Sequence, residues 1–211
     1  MTIEFADSTE KMSDTLYRTI ASIEGQTITL RQLMTAMGEQ GFLFLCALLT
    51  LPFLIPVSIP GVSTVFGAAI IMISLAIILN RMPWLPARLL NRQIETEKLV
   101  PTLRKGADMV SKLDRFVRPR LHFLTMAGLA NRLNGAAIMY GGILLMFPLG
   151  LIPFSNTLPG IAILLLAIGM LQRDGMTVLA GYFFLLATTL YFGVLAYAAY
   201  SAGQGLSGFF V

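Results

Sequence analysis

The sequence has few charged residues, one cysteine and one histidine, and these shortages exclude several kinds of protein. Only 12% of the 211 residues are charged and 56% are hydrophobic, whereas a soluble domain carries about 25% charged residues. The single cysteine, Cys46, excludes an intrachain disulfide and a thiolate metal cluster, so we interpret it as a small buried apolar residue. The only histidine, His122, has no carboxylate or nucleophile motif beside it and is interpreted as structural.

Motifs of catalysis are also missing. The chain has no phosphate-cradling Gly-Lys-Ser/Thr loop, no Gly-x-Ser-x-Gly and no paired carboxylates at helical spacing. We therefore expect no enzyme activity, no catalytic residues, no cofactor, no metal site and no nucleic-acid partner.

Charges are almost absent from residues 41–80 and 135–200, which contain only Arg173 and Asp174. Apolar stretches of this length are typical of membrane-spanning segments. No short apolar segment with a small-residue cleavage site precedes them, so we expect no cleaved signal peptide. The sequence predicts an all-α integral membrane protein.

The first apolar region is interrupted at residues 51–61, LPFLIPVSIPG, by three prolines and a glycine. Proline lacks a backbone donor and clashes with the preceding helical turn, so one helix should end near Leu54 and another should begin near Gly61. The arms on either side, residues 41–55 and 61–79, form a broken hairpin. Its second arm carries Gly61, Ser63 and Gly67, small residues that favour close packing of the two arms.

A second interruption, IPFSNTLPG at residues 152–160, repeats the pattern of the first. In both, Ile-Pro-x-Ser precedes Pro-Gly, and the second copy adds Asn156 and Thr157. The arms beside it are 135–151 and 161–171, and the later arm is too short to span a bilayer at about 1.5 Å per residue. The similarity predicts two repeated, Pro-broken and re-entrant hairpins, 41–80 and 135–172. Full crossing is an alternative for the first hairpin, because its second arm is longer.

Polar segments surround the hairpins. Residues 1–40 form a head, in which Thr29 and Gln32 fit a helix-starting capping box. Residues 81–134 form a linker with eleven of the fifteen basic residues, and this charge predicts a cytoplasmic loop that attracts anionic lipid headgroups. Apolar residues at helical spacing over 98–120 predict a basic amphipathic helix, which lies on the lipid surface, packs on the hairpins, or does both.

The end of the chain predicts one further crossing. Arg173-Asp174-Gly175 is a turn signal, and residues 176–200 form an apolar stretch long enough to cross once with tilt. We expect the tail, 201–211, to fray. If both hairpins are re-entrant, the N-terminus, the linker and Arg173 are cytoplasmic and the C-terminus lies on the other side.

These motifs, taken in order, resemble the ExoD family of bacterial exopolysaccharide-synthesis proteins. The likeness covers residues 30–181 and rests on Gly38-Glu39, LPxxIP at 51–56, IPGVST at 59–64, PWLP at 83–86, IPFSNTLP at 152–159 and RDG at 173–175. Ser58 and Ser155 stand where the family often has proline and glycine, which should change the breaks slightly. The resemblance implies a bacterial inner-membrane protein tied to exopolysaccharide production and to tolerance of alkaline conditions. The paired hairpins also look like DedA-type membrane proteins, some of which move polyprenyl-phosphate carriers.

Two functional hypotheses follow. In the first, the chain transports or flips an anionic lipid-linked intermediate, or an ion, because helix N-termini after the breaks carry partial positive charge. In the second, the hairpins pack dry and the protein is a scaffold or regulator of the polysaccharide machinery. The small-residue arms also suggest a homodimer.

The transport hypothesis assigns roles to particular side chains. Glu39 and Asp174 would relay protons near the mouth, and Arg81 or Arg173 would hold phosphate. The full set of predicted substrate-binding residues is Ser58, Gly61, Ser63, Ser155, Asn156, Thr157, Gly160, Glu39, Arg81, Arg173 and Asp174.

Overall fold

The computed structural model describes residues 17, 20–21, 23, 25, 27–54, 61–79, 91, 93–97, 99–101, 103–104, 108, 111, 121, 123–126, 128–147 and 152–207. Most of this part is helical. The helices are α1 (Leu30–Thr50), α2 (Val62–Leu79), α3 (Phe123–Met126), α4 (Gly128–Leu145), α5 (Thr157–Leu171) and α6 (Gly175–Ser207), with a 3-10 helix at Leu51–Leu54. Two short strands, β1 (Thr27–Thr29) and β2 (Gln93–Glu95), pair antiparallel. The predicted all-α class is therefore right except for this one pair of strands.

The predicted start of α1 and the predicted edges of the first break are confirmed. The Thr29 side chain accepts from the Gln32 backbone, and the Gln32 side chain accepts from the Thr29 N–H at 2.9 Å. The helical chain ends with the 3-10 turn at Leu54, and α2 follows Gly61, whose φ of 82° is one that glycine adopts readily. Residues 55–60 between them lie outside the described part.

The second break is shorter than predicted, because α5 begins at Thr157 and not at residue 161. Pro159 and Gly160 belong to its first turn, where proline is tolerated because the N–H groups there lack intrahelical acceptors. The arm before the break was also misplaced: α4 runs over Gly128–Leu145 and not over 135–151. Pro148 follows closely, and the residue before a proline disfavours helical geometry.

The predicted turn at Arg173 is confirmed. The prediction that the tail frays is wrong for residues 201–207, because α6 continues to Ser207. After α5, the Arg173 N–H donates to the Met170 carbonyl and the Asp174 N–H donates to the Gly169 carbonyl. These two bonds form a Schellman motif, with Arg173 at φ 54° in the position that usually holds glycine. The motif reverses the chain and brings α6 back along α5.

The two hairpins pack closely on each other, and within the second hairpin α4 also packs on α5. A Cβ added at Gly67 of α2 would lie 2.9 Å from the Gly142 carbonyl oxygen of α4, and one added at Gly135 would lie 3.0 Å from Ile78. These pairs show that α2 and α4 run antiparallel in close contact. The predicted close packing through Gly67 therefore has α4, not α1, as its main partner, and α1 packs in turn on α5.

The first turn of α5 lies beside the end of α1, and α5 and α6 form a second close antiparallel pair. Gly169 is in contact with Val178, and Gly181 is in contact with Leu166, with nearest distances of 2.7 Å to an added Cβ in both cases. Helix α4 runs parallel to α6, since Asn134 bonds Tyr182 and Tyr140 bonds Thr189. Both breaks therefore lie at the same end of the helix bundle.

Two helical segments, Val62–Leu79 and Gly175–Ala202, are long and apolar enough to cross a membrane by length and composition. The apolar part of α1 with the 3-10 helix, Gln40–Leu54, and helix α5 are shorter. These two segments suggest membrane association.

The head and the linker are in contact where the structure describes them. Besides the β1–β2 pair, the exposed Tyr17 hydroxyl donates to Asp108 Oδ1 at 2.6 Å, and this bond raises the pKa of Tyr17 above its usual value of 10.0.

Leu103 is buried in the hydrophobic core, and Leu99 packs against this core. Both residues belong to the predicted amphipathic stripe, so this part of the stripe packs on the protein itself. Most of residues 98–120, together with Trp84 and His122, lie outside the described part.

Candidate functional site

The two breaks meet at Phe53, in the 3-10 helix that ends the first arm. The Phe53 ring packs edge-on against Phe66 of α2, with ring centroids 5.8 Å apart. On its other side, a Cβ added at Gly160 would lie 3.1 Å from the Phe53 Cβ and 3.9 Å from the Thr50 carbonyl oxygen. Phe53 is buried, so the start of α2, the end of α1 and the start of α5 converge on one apolar side chain. Sequence reasoning missed its role, although it lies inside the LPFLIP motif.

Polar side chains are buried at the second break. Ser155, Asn156 and Thr157 expose 1%, 7% and 9% of their surface. The Ser155 hydroxyl donates to the Ile152 carbonyl at 2.9 Å, and in the first arm the buried Thr50 hydroxyl donates to the Ala47 carbonyl at 2.7 Å. These hydroxyls therefore satisfy backbone acceptors close to them in the chain.

Helix α6 supplies a residue that sequence reasoning missed at the second break. The Tyr191 hydroxyl donates to the Pro153 carbonyl at 2.8 Å, and the next residue, Phe192, packs edge-on against Phe147. The register could have been anticipated, because α6 returns antiparallel from the Arg173 turn. Both helices rise by the same distance per residue. About 17 residues after the turn, α6 therefore lies beside the start of α5.

Of the predicted residues near the first break, Ser63 is buried and Gly61 is exposed at the start of α2. Ser58 and Arg81 lie outside the described residues. Glu39 belongs to α1, and its side chain also lies outside the described part. The structure thus brings Gly160 to Phe53 but leaves the predicted proton and phosphate roles of Glu39 and Arg81 as predictions.

Arg173 and Asp174 lie at the opposite end of α5 from the breaks. Fifteen helical residues separate them from the break, which corresponds to about 22 Å. The Asp174 carboxylate accepts from the backbone N–H groups of Met176 and Thr177, both at 3.2 Å, and from the Thr177 hydroxyl. It therefore caps the N-terminus of α6, where the helix dipole favours a negative charge. Arg173 and Asp174 are therefore far from Ser155 and Asn156, and their predicted phosphate and proton roles stay predictions.

A second buried polar contact lies between α3, α4 and α6. Asn134 is 2% exposed; its Nδ2 donates to the Leu124 carbonyl at 2.8 Å, and its Oδ1 accepts from the Tyr182 hydroxyl at 3.0 Å. Because each polar atom finds a partner, this cluster fixes the relative positions of the three helices. It was not predicted, since partners on other helices, far away along the chain, leave no local pattern in the sequence.

Comparison with known proteins identifies the family. The family model described as "Exopolysaccharide synthesis, ExoD" matches residues 12–194. The chain belongs to the ExoD family. It is similar to "Protein ExoD" of Rhizobium meliloti (strain 1021), with 75% identity over all 211 residues and 88% of that protein. The chain is also similar to an uncharacterized protein of Synechocystis, with 29% identity over 76% of this chain and 74% of that protein. No solved structure matches the chain.

The family description and the groups at the second break indicate what kind of ligand this arrangement could bind. The family is one of exopolysaccharide synthesis. The second break holds buried hydroxyl and amide side chains at Ser155, Asn156 and Thr157, which are of a kind that binds polar ligands without forming a covalent bond.

Proposed function

We propose that the chain is a multi-pass protein of the bacterial inner membrane that acts in exopolysaccharide production. In this proposal it carries an anionic lipid-linked intermediate, or an ion, past the point where the two re-entrant hairpins meet. The head and the basic linker lie in the cytoplasm, where the linker binds anionic headgroups. The protein is not an enzyme and has no cofactor.

The outer surface of α6 supports a location in lipid. Only 22% of its apolar span and 39% of that of α2 are buried inside the protein. A core helix of a soluble protein would be mostly buried, whereas a lipid-facing helix keeps an apolar face outward. The exposed face of α6 carries large apolar side chains at helical spacing, namely Leu179, Phe183, Leu186, Leu190 and Val194.

The register between α5 and α6 supports a re-entrant second hairpin. Tyr191, which contacts Pro153, lies well inside the apolar span Gly175–Ala202 of α6. At a rise of about 1.5 Å per residue, the break is then about 24 Å from the Gly175 end of that span and about 16 Å from the Ala202 end. If α6 crosses the bilayer, the break lies within it, and the hairpin turns back before reaching the far surface.

The observation that carries the transport proposal is the meeting of the two breaks at Phe53 with buried Ser155, Asn156 and Thr157 beside them. Backbone groups freed by a helix break are tolerated at this depth only where protein covers them or a polar cavity is present. Discontinuous helices that meet at membrane depth are the usual place for substrate sites in transporters. Gly61 and Ser63 would contribute from the other hairpin.

A second candidate function, a non-transporting scaffold of the polysaccharide machinery, is favoured by a different observation. The Ser155 and Thr50 hydroxyls both donate to neighbouring carbonyls, and the Phe53 ring lies between the breaks. These contacts are what dry packing requires, because they leave fewer groups to solvate a substrate.

Water access at Ser155 separates the two functions. We would label Ser155→Cys with a membrane-impermeant maleimide in intact vesicles; Cys46 is fully buried and gives little background. Labelling, together with movement of a fluorescent polyprenyl phosphate, protons or monovalent ions in reconstituted liposomes, supports transport. Asn156→Ala should abolish that movement, whereas Ser201→Ala, at an exposed position of α6, should not. No labelling and no movement of any of the three probes would reject transport in favour of the scaffold.

A further inference from the structure

The chain enters α5 through a turn of unusual composition, Ile152-Pro153-Phe154-Ser155. The Ser155 N–H donates to the Ile152 carbonyl at 3.4 Å, which closes a four-residue turn. Phe154, its third residue, has a φ of 61°. Pro153 at the second position is restricted to a negative φ. Among the common turn types, only type II combines these two signs, and it normally has glycine where Phe154 stands.

The strain at Phe154 could be relieved by rotating a single peptide unit. A type I turn accepts any residue at the third position and differs from type II by rotation of the central peptide, here the one that joins Pro153 to Phe154. That rotation would move the Pro153 carbonyl oxygen to the other side of the turn. Phe154 is 56% exposed, so its own packing does not account for the strained form.

Tyr191 is the contact that selects the strained form. Its hydroxyl donates to the carbonyl of this central peptide, Pro153, at 2.8 Å. Rotation of the peptide would break that bond and leave a carbonyl unpaired at the depth of the break, where water is scarce. The bond is made from α6, much further along the chain, so it ties the turn to a helix that the hairpin itself does not contain.

We propose that Tyr191 is a positioning residue, which holds the Pro153–Phe154 peptide in the type II form and thereby fixes the start of α5. The Phe154 carbonyl accepts the Leu158 N–H at 3.0 Å, and Ser155 bonds back to Ile152. Without the Tyr191 bond the turn could exchange between its two forms, so the residues that follow it, Ser155 and Asn156, the side chains assigned to the substrate, would be held less firmly. This inference rests on the proposed function for its consequence, but the state of the turn can be measured separately.

Selective isotope labelling gives a direct readout of the turn. The dipeptide Pro-Phe occurs in this chain at residues 52–53 and 153–154 and nowhere else. Labelling proline at the carbonyl carbon with ¹³C and phenylalanine with ¹⁵N therefore yields two NMR signals in lipid nanodiscs. Phe154→Leu removes one signal and so assigns it. Tyr191→Phe should shift the 153–154 signal and leave the 52–53 signal unchanged.

The control is Tyr197→Phe, which removes a hydroxyl from a position of the same helix that is 73% exposed and should shift neither signal. In cells that lack their own copy, Tyr191→Phe should lower exopolysaccharide production several-fold. The double variant Tyr191→Phe with Phe154→Gly should restore it, because glycine adopts positive φ without strain.

An unshifted 153–154 signal in Tyr191→Phe, or an equal shift in Tyr197→Phe, would overturn the inference. A shifted signal with undiminished production by Tyr191→Phe would overturn the functional role given to Tyr191. If Asn156→Ala also left production undiminished, the proposed site itself would fail, while the effect of Tyr191 on the turn would stand.

Discussion

The close approach of α5 and α6 predicts that alanine at Gly181 destabilises the protein. A Cβ added there would lie 2.7 Å from Leu166 Cγ and 2.9 Å from the Leu166 backbone nitrogen. Leu166 is fully buried, and a backbone atom cannot move aside without moving its helix. The substitution therefore has to separate the two helices by several tenths of an ångström.

Overpacking of this kind costs about 1–3 kcal/mol. Alanine also raises helix propensity by about 0.8–1 kcal/mol relative to glycine, so we expect a net loss of roughly 0–2 kcal/mol. Gly193 is a matched control on the same helix, since an added Cβ there meets nothing within 4 Å. Gly193→Ala should be neutral or more stable by up to about 1 kcal/mol.

Both variants would be compared with the native chain by equilibrium unfolding in one detergent at one protein concentration. The reasoning predicts that the midpoint falls for Gly181→Ala and holds or rises for Gly193→Ala. Equal midpoints for the two variants would refute the close α5–α6 contact and, with it, the register that places the second break beside Tyr191.

Three further outcomes are expected. Thr29→Ala removes the α1 cap and should lower the free energy of unfolding by about 1 kcal/mol, measured by the same unfolding assay. Asn134→Leu leaves the Tyr182 hydroxyl without its acceptor and should cost about 1–3 kcal/mol; adding Tyr182→Phe should recover part of that loss. The Tyr17–Asp108 bond, which raises the pKa of Tyr17, should be intact below pH 10 and lost as the pH rises through the raised pKa. Ultraviolet titration of Asp108→Asn should therefore show Tyr17 ionising at a lower pH, and an unchanged titration would contradict the contact.

Features set by local chemistry could be predicted from the sequence. The Thr29 capping box, the helix end at Leu54, the helix start after Gly61 and the Arg173 turn each depend on a few neighbouring residues. Proline and glycine act on their own backbone and the adjacent turn, so their effect does not depend on which helices pack together.

Features set by distant partners could not be predicted in the same way. The helical start at Thr157 was missed because proline is a helix breaker in an interior turn but a common residue in the first turn, and the sequence alone did not distinguish the two. The β1–β2 pair joins two short segments from distant parts of the chain, with Thr29 opposite Gln93, and each segment is too short for an alternating pattern. Gly67 was correctly expected at a close helix contact, but small residues permit close approach without specifying the partner.

The same distinction between local and distant partners applies to the residues of the candidate site. The polar residues Ser155, Asn156 and Thr157 could be singled out because they differ from the apolar segment around them, and the structure buries them; their role in binding a substrate stays a prediction. Phe53 and Tyr191 could not, because an aromatic residue in an apolar stretch is ordinary until its partner is known. Phe53 acquires its role when α5 packs against the end of α1, and Tyr191 acquires its role when α6 packs beside the second break.

Contacts between the two hairpins join the described edges of the two breaks. Gly67 of the first hairpin packs on α4 of the second, and Gly160 of the second packs on Phe53 of the first. The Pro153 carbonyl is bonded by Tyr191 of α6. If the breaks lie within the bilayer, as proposed, a single hairpin broken in this way would be unstable, because an unsatisfied backbone group in an apolar medium costs several kcal/mol. In that location, the contacts at Phe53 and Tyr191 would be needed to join the two hairpins and α6 into one stable unit.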